Sequence, residues 1–131
     1  MSSLHGKNER EENIVIAKYF AEKYNEKIDL LKNHHNKSSA DAFNHSKNEF
    51  QEYKTNKKPT KSAIDNELRK GANQSKHIII HINSEISDDN LLRGIKGRVT
   101  QKMNIEKITI IRNNQDKTYL REEIMQKGFK L

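Results

Sequence analysis

The run His77-Ile78-Ile79-Ile80-His81-Ile82 constrains the fold more than any other stretch of this chain. A strand at a wet sheet surface alternates apolar and polar residues, whereas this one is almost continuously β-branched. It is therefore predicted as a central strand with layers packed on both of its faces. The rest of the chain must supply those layers, and its periodicity offers helices.

Residues Glu9 to about Tyr24 read as a helix, with Ile14, Ala17, Ala21 and Tyr24 on one stripe and Ile16 and Phe20 beside it. Glu9, Glu11 and Glu12 at its start suit the positive end of the helix dipole. Pro59, the only proline, precedes Thr60 and Ser62, either of which can cap a helix to about Asn73 that buries Ile64, Leu68 and Ala72. Ser87-Asp88-Asp89 signals the start of a third helix, to about Met103, with Leu91, Leu92, Ile95 and Val99 apolar. Gly94 and Gly97 either weaken that helix or admit something packed close to it. Further strands are expected at Lys27–Leu31, in a hairpin of Asp41–His45 and Glu49–Lys54 turning through Asn44 to Asn48, and at Ile105–Arg112. Lys32 to Ser39 reads as a polar loop and Asn113 to Asp116 as a turn. Tyr119 to Leu131 fits either a strand or a short helix. The expectation is an α/β fold: a mixed central sheet with flanking helices, one domain over residues 1–131, with 1–8 a disordered or appended lead.

Composition limits the partners. The chain has 131 residues, 32% hydrophobic and 33% charged, with no Trp, so its core is thin. Its net charge of +7 favours polyanions. The absence of Cys excludes disulfides and zinc–thiolate sites. No segment approaches the ~18 apolar residues of a membrane span. The N-terminus is too polar for a signal peptide, and no membrane partner is expected.

One constellation carries chemistry. Asp41 precedes a hairpin whose second strand contains Glu52-Tyr53-Lys54. Alternate strand residues share a face, so Glu52 and Lys54 point the same way, and Asp41 on the neighbouring strand can bring a second carboxylate beside them. Two carboxylates can hold a hard divalent cation that polarises a phosphate and lowers the pKa of a bound water. A lysine beside them can stabilise developing negative charge. Glu49 is the rival carboxylate, with the opposite strand parity. Lys57, Lys58 and Lys61, with the helix positions Ser62, Asn66, Arg69, Lys70 and Gln74, form a candidate phosphate-gripping surface. His77 and His81 share a strand face and titrate near neutrality; His34, His35 and His45 are candidate substrate contacts. Only Phe50 and Tyr53 lie near enough to stack on a base, so stacking is expected to be limited.

The order helix, three strands, helix, strand resembles the restriction-endonuclease-like, or PD-(D/E)xK, nucleases, with Asp41 and Glu52-x-Lys54 at the motif positions and Ala40 in place of the nominal Pro. The segments REENIVIAKYFA, SADAFN, EFQEYKT, KSAIDNELRKGANQSKHIIIHI, ISDDNLLRGIKGRV and IEKITIIRN look like the C-terminal tRNA-nuclease domains of CdiA-type contact-dependent inhibition proteins. That resemblance implies a toxin-type nuclease hydrolysing tRNA with Mg²⁺ or Mn²⁺, or else Zn²⁺. It implies Asp41 and Glu52 as metal ligands, Lys54 as the charge-stabilising group, Glu12 as a further carboxylate reaching in from the first helix, and Gln74 as a recurrent family glutamine. It also implies delivery as part of a larger protein into the cytoplasm of a target bacterium, and a cognate immunity protein. The alternatives are a metal-independent ribonuclease using the histidines, a DNase with the same site, and a non-catalytic nucleic-acid-binding module.

Overall fold

A computed structural model describes residues 2–31, 40–101 and 104–131, with side chains from residue 10 onward in the first of these. The elements in chain order are α1 (Ser2–Tyr24), β1 (Ile28–Leu30), β2 (Ala42–Asn44), β3 (Glu49–Asn56), α2 (Lys61–Gly71), β4 (His77–Ile82), α3 (Asp88–Val99), β5 (Lys107–Arg112), β6 (Gln115–Leu120) and α4 (Arg121–Ile124). They form a mixed six-stranded sheet in the order β1-β2-β3-β4-β5-β6. The pairs β1–β2, β2–β3 and β5–β6 are antiparallel, and β3–β4 and β4–β5 are parallel. The expected α/β fold with a mixed sheet and flanking helices is what the chain adopts.

The isoleucine run explains the layering. Ile78, Ile80 and Ile82 pack in one cluster with Ile64 and Leu68 of α2 and Leu91, Ile95 and Val99 of α3. Ile79 points the other way, into a smaller cluster with Tyr53, Ile111 and the α1 residues Ile16 and Phe20. Both crossover helices therefore cover one face and α1 covers the other, as a strand without a wet side demands. Burying one isoleucine on either face contributes roughly 1.5–3 kcal/mol.

Each helix has a local cause. Thr60 Oγ1 accepts from the Ala63 amide to start α2, and Ser87 Oγ accepts from the Asn90 amide to start α3. Gly94 lets these two helices touch: a Cβ there would stand 2.7 Å from Ile64 Cβ. Close packing, not helix weakening, is its role. Asn113 and Asn114 take left-handed φ values of 55° and 60° and close the β5–β6 hairpin.

Three expectations shift. The first helix starts at Ser2, so Glu9, Glu11 and Glu12 sit inside it and its first turn carries no acid. Its buried face is Ile16 and Phe20, while Ile14 is 43% and Tyr24 48% exposed. The second is the expected turn Asn113–Asp116, which is only the asparagine pair, because Gln115 and Asp116 already lie in β6, paired with Arg112 and Ile111 of β5. The ambiguous tail is then partly strand, to Leu120, and partly the short helix α4. The third is α3, which ends at Val99, short of the expected Met103.

Candidate functional site

β3 is the spine of the site. Its even-numbered residues Glu52, Lys54 and Asn56 face α2, and its odd-numbered residues Glu49, Gln51 and Tyr53 face α1. Asp41 lies one residue before β2, next to the Ala42–Gln51 pair, and so stands across from Glu52. Its amide donates to the Gln51 carbonyl, and its Oδ2 accepts from the Tyr53 amide at 2.9 Å. The backbone of β3 thereby holds the Asp41 carboxylate against Glu52.

Glu52 is 4% exposed. The end of α2 settles on it at Gly71, where a Cβ would lie 3.2 Å from Ile78 Cδ1 and 3.4 Å from Glu52 Cγ. The Lys54 ammonium lies 3.4 Å from Glu52 Oε2. Glu52 Oε1 is buried and has no hydrogen-bond partner. Burial, with repulsion from Asp41, pushes the Glu52 carboxyl up to about 8 against the pull of Lys54. Among the described residues no three His, Cys, Asp or Glu side chains gather as a cation site. Two carboxylates supply hard oxygen ligands of the kind that suit a Mg²⁺- or Mn²⁺-like cation. They do not fit Zn²⁺, since neither a histidine nor a cysteine joins them.

The remaining expected residues are not gathered at this point. Glu12 pairs with Lys57 and lies within charge reach of His81, toward the other end of the sheet. It does not join Asp41 and Glu52. His81 is half-buried, and burial lowers its pKa. Lys58, Lys61, Ser62, Asn66, Arg69 and Lys70 are exposed. His45 pairs with Asp29 at 2.6 Å. His34 and His35 lie outside the described residues. Gln74 follows the end of α2, and its Oε1 is also buried without a partner.

Glu49 and His77 build a separate cluster on the α1 face. His77 Nδ1 is 2.5 Å from Glu49 Oε2, and His77 Nε2 is 2.7 Å from Thr109 Oγ1, which meets Thr118 Oγ1. Lys107 and Gln51 bind Glu49 from the other sides at 2.8 Å. Burial would raise the Glu49 carboxyl, but hydrogen bonds from His77, Lys107 and Gln51 outweigh it and hold it at about 2. Burial lowers the His77 pKa despite Glu49. The neutral ring therefore donates from Nδ1 and accepts at Nε2, and both nitrogens are used. With His77 3% and Thr109 1% exposed, this is an interior network.

Sequence reasoning missed Glu67. It stands on α2 one turn before Gly71, facing β3, with both carboxylate oxygens 3.3–3.4 Å from Asn56 Nδ2. Burial lifts its carboxyl to about 7 against hydrogen bonding from Asn56 and the charges of Lys54 and Lys70. Its i,i+3 spacing from Ile64, on the buried stripe of α2, was the available signal.

Fold and site together define a small basic α/β domain that sets a buried glutamate beside an aspartate and a lysine, next to one helix. Residues 45–116 match the family described as the contact-dependent growth inhibition CdiA C-terminal domain. The match covers more than half of the chain, and the chain belongs to this family of toxin domains. It takes in Glu49, Glu52, Lys54 and Glu67, and begins just after Asp41. No curated protein and no solved structure matches the chain. No described helix is long and apolar enough to cross a membrane.

Proposed function

We propose that the domain is a metal-dependent nuclease of the restriction-endonuclease-like type that cuts tRNA in the cytoplasm of a target bacterium. The observation that carries the reading is Glu52 Oε1: a buried carboxylate oxygen with no donor, set against a second carboxylate. Left so, it costs on the order of 1–3 kcal/mol or more. Such an arrangement persists where function needs it.

Asp41 and Glu52 are the residues that would hold a divalent cation. When bound, the cation would polarise the scissile phosphate and lower the pKa of a water. Lys54 contributes fixed positive charge beside the same carboxylates, where negative charge grows on the phosphate oxygens in the transition state. The Tyr53 amide fixes the Asp41 carboxylate, and the end of α2 at Gly71 packs over Glu52. The exposed lysines and arginine of the loop before α2 and of α2 itself bind backbone phosphates without reading sequence. With a net charge of +7, the cognate immunity protein is expected to be acidic. Family membership supports delivery as the end of a larger protein.

The test is incubation of the purified domain with total tRNA and with plasmid DNA, in Mg²⁺ or Mn²⁺ and in excess chelator, beside Glu52→Gln and Lys54→Ala. The expected result is tRNA cleavage that needs the cation and is lost in both variants. Cleavage that survives chelation and both substitutions would overturn the reading.

A further inference from the structure

A cavity of about 560 Å³ opens at the edge of the sheet where β3, β4 and β5 begin, within the roughly 300–1,000 Å³ of small-ligand sites. Leu31, Ala40, Phe50 and Gln74 line it. Ala40 precedes Asp41 in the chain. Phe50 lies on the same face of β3 as Glu52. Gln74 closes the end of α2 that packs on Glu52. Asp41 and Glu52 do not line the cavity themselves; it reaches toward them through Ala40 and Phe50, and Glu49 and His77 form part of its wall.

Three features fix the chemistry of an occupant. Phe50 is 56% exposed, more than any other large apolar side chain among the described residues, with Phe43 edge-on to it at 4.9 Å. The Gln74 Oε1, buried and unpartnered, calls for a donor. Lys76 and Lys107 also line the cavity, but they pair with Glu106 and Glu49, so this wall is close to neutral. A flat, uncharged group with hydrogen-bonding edges answers all three, and on a basic nucleic-acid surface that group is a nucleobase. A base inside a duplex is stacked on both faces and paired on its edge, so it cannot enter.

We infer that this cavity seats an unpaired RNA base next to the phosphate cut at Asp41 and Glu52, with Phe50 as the stacking platform and Gln74 reading the base edge. The domain then selects looped or single-stranded RNA over duplex. The inference rests on the nuclease reading for what the neighbouring carboxylates do.

Binding tests it apart from the chemistry. In Glu52→Gln protein and excess chelator, a labelled unstructured oligoribonucleotide is compared with the same sequence annealed into a duplex. The single strand is expected to bind at least about 10-fold tighter. Phe50→Ala, at an exposed site that does not endanger folding, is expected to weaken single-strand binding by on the order of 10- to 100-fold and leave duplex binding unchanged. Gln74→Ala is expected to flatten the preference among the four homopolymers. Equal binding of strand and duplex, or unchanged single-strand binding in both variants, overturns the base seat. If Glu52→Gln still cuts in metal while Phe50→Ala loses the strand, the seat stands and the catalytic assignment falls. If Glu52→Gln is dead while both seat variants bind as the parent does, the seat falls and the catalytic assignment stands.

Discussion

The two faces of β3 carry two carboxylates in opposite conditions. Glu49, toward α1, is gripped by His77, Lys107 and Gln51, and its carboxyl is held at about 2. Glu52, three residues on and toward α2, has a second carboxylate beside it and one oxygen without a donor, and its carboxyl is pushed up to about 8. By composition the Glu49 cluster looks the more catalytic, with a carboxylate, a histidine and a threonine in line. Its satisfied hydrogen bonds and its burial argue the opposite. A closed network fixes the register of β3, β4, β5 and β6 and leaves nothing for a substrate to complete. On the open side it is Glu52 Oε1, buried without a hydrogen-bond partner, that something from outside the chain could complete.

The largest effects should fall on the open side. Glu52→Gln is expected to lower cleavage by at least about 10³-fold. It should keep or raise the melting temperature near neutral pH, because the amide is uncharged in both states and spares the fold the cost of protonating Glu52. A variant that unfolds instead would mean that the pair is structural and would erase the contrast. The closed side should behave in reverse. Thr109→Val keeps the volume but strips His77 Nε2 of its partner. It is expected to cost about 1–3 kcal/mol in urea unfolding and to leave cleavage by the folded protein unchanged.

The same contrast predicts a pH dependence of stability in chelator. Glu52 keeps a proton in the native state that the unfolded chain releases above its ordinary 4.5, so stability falls as pH rises toward 8. Glu67, lifted to about 7, acts with the same sign. Glu49 is ionised in the native state where the unfolded chain is protonated, so its stabilisation is lost as pH falls from 4.5 toward 2. His77 and His81, both lowered from 6.5, take stability away below that pH. The window from 6.5 to 8 isolates the glutamates of the α2 face. Unfolding free energy should drop across it in the parent and drop less in Glu52→Gln. An equal drop in both would show that Glu52 is not the titrating group.

How much of this was legible follows the same division. The isoleucine run identified β4, and its lack of a wet face required cover on both sides. Strand parity placed Glu52 with Lys54 and set Glu49 apart, which is the contrast between the faces in its simplest form. Parity could not say what each carboxylate would meet, since His77, Lys107 and Thr109 come from strands distant in sequence. Glu12 comes from the resemblance, as a carboxylate reaching in from the first helix; the helix starts earlier, at Ser2, and Glu12 sits inside it, paired with Lys57. Phe50 looked like one aromatic among few. Only its exposure beside a cavity separates it from the core.

Glu67 offers the finest test, because it lies on the open face yet is not one of the carboxylate pair. Its oxygens bond Asn56, and Lys54 lies within its charge field, so β3 presents Lys54 between two acids, Glu52 and Glu67. If Glu67 helps to hold that ammonium, Glu67→Gln should lower cleavage only modestly, by roughly fivefold, matching the ~1 kcal/mol upper end of exposed ion pairs. The informative readout is the pH profile. Glu67 gains its charge near pH 7, so part of the parent's rise in activity through that region should flatten in Glu67→Gln, with the effect in kcat more than in KM. A profile that keeps its shape while stability drops would make Glu67 a packing residue held by Asn56, and would confine the open face to Asp41, Glu52 and Lys54.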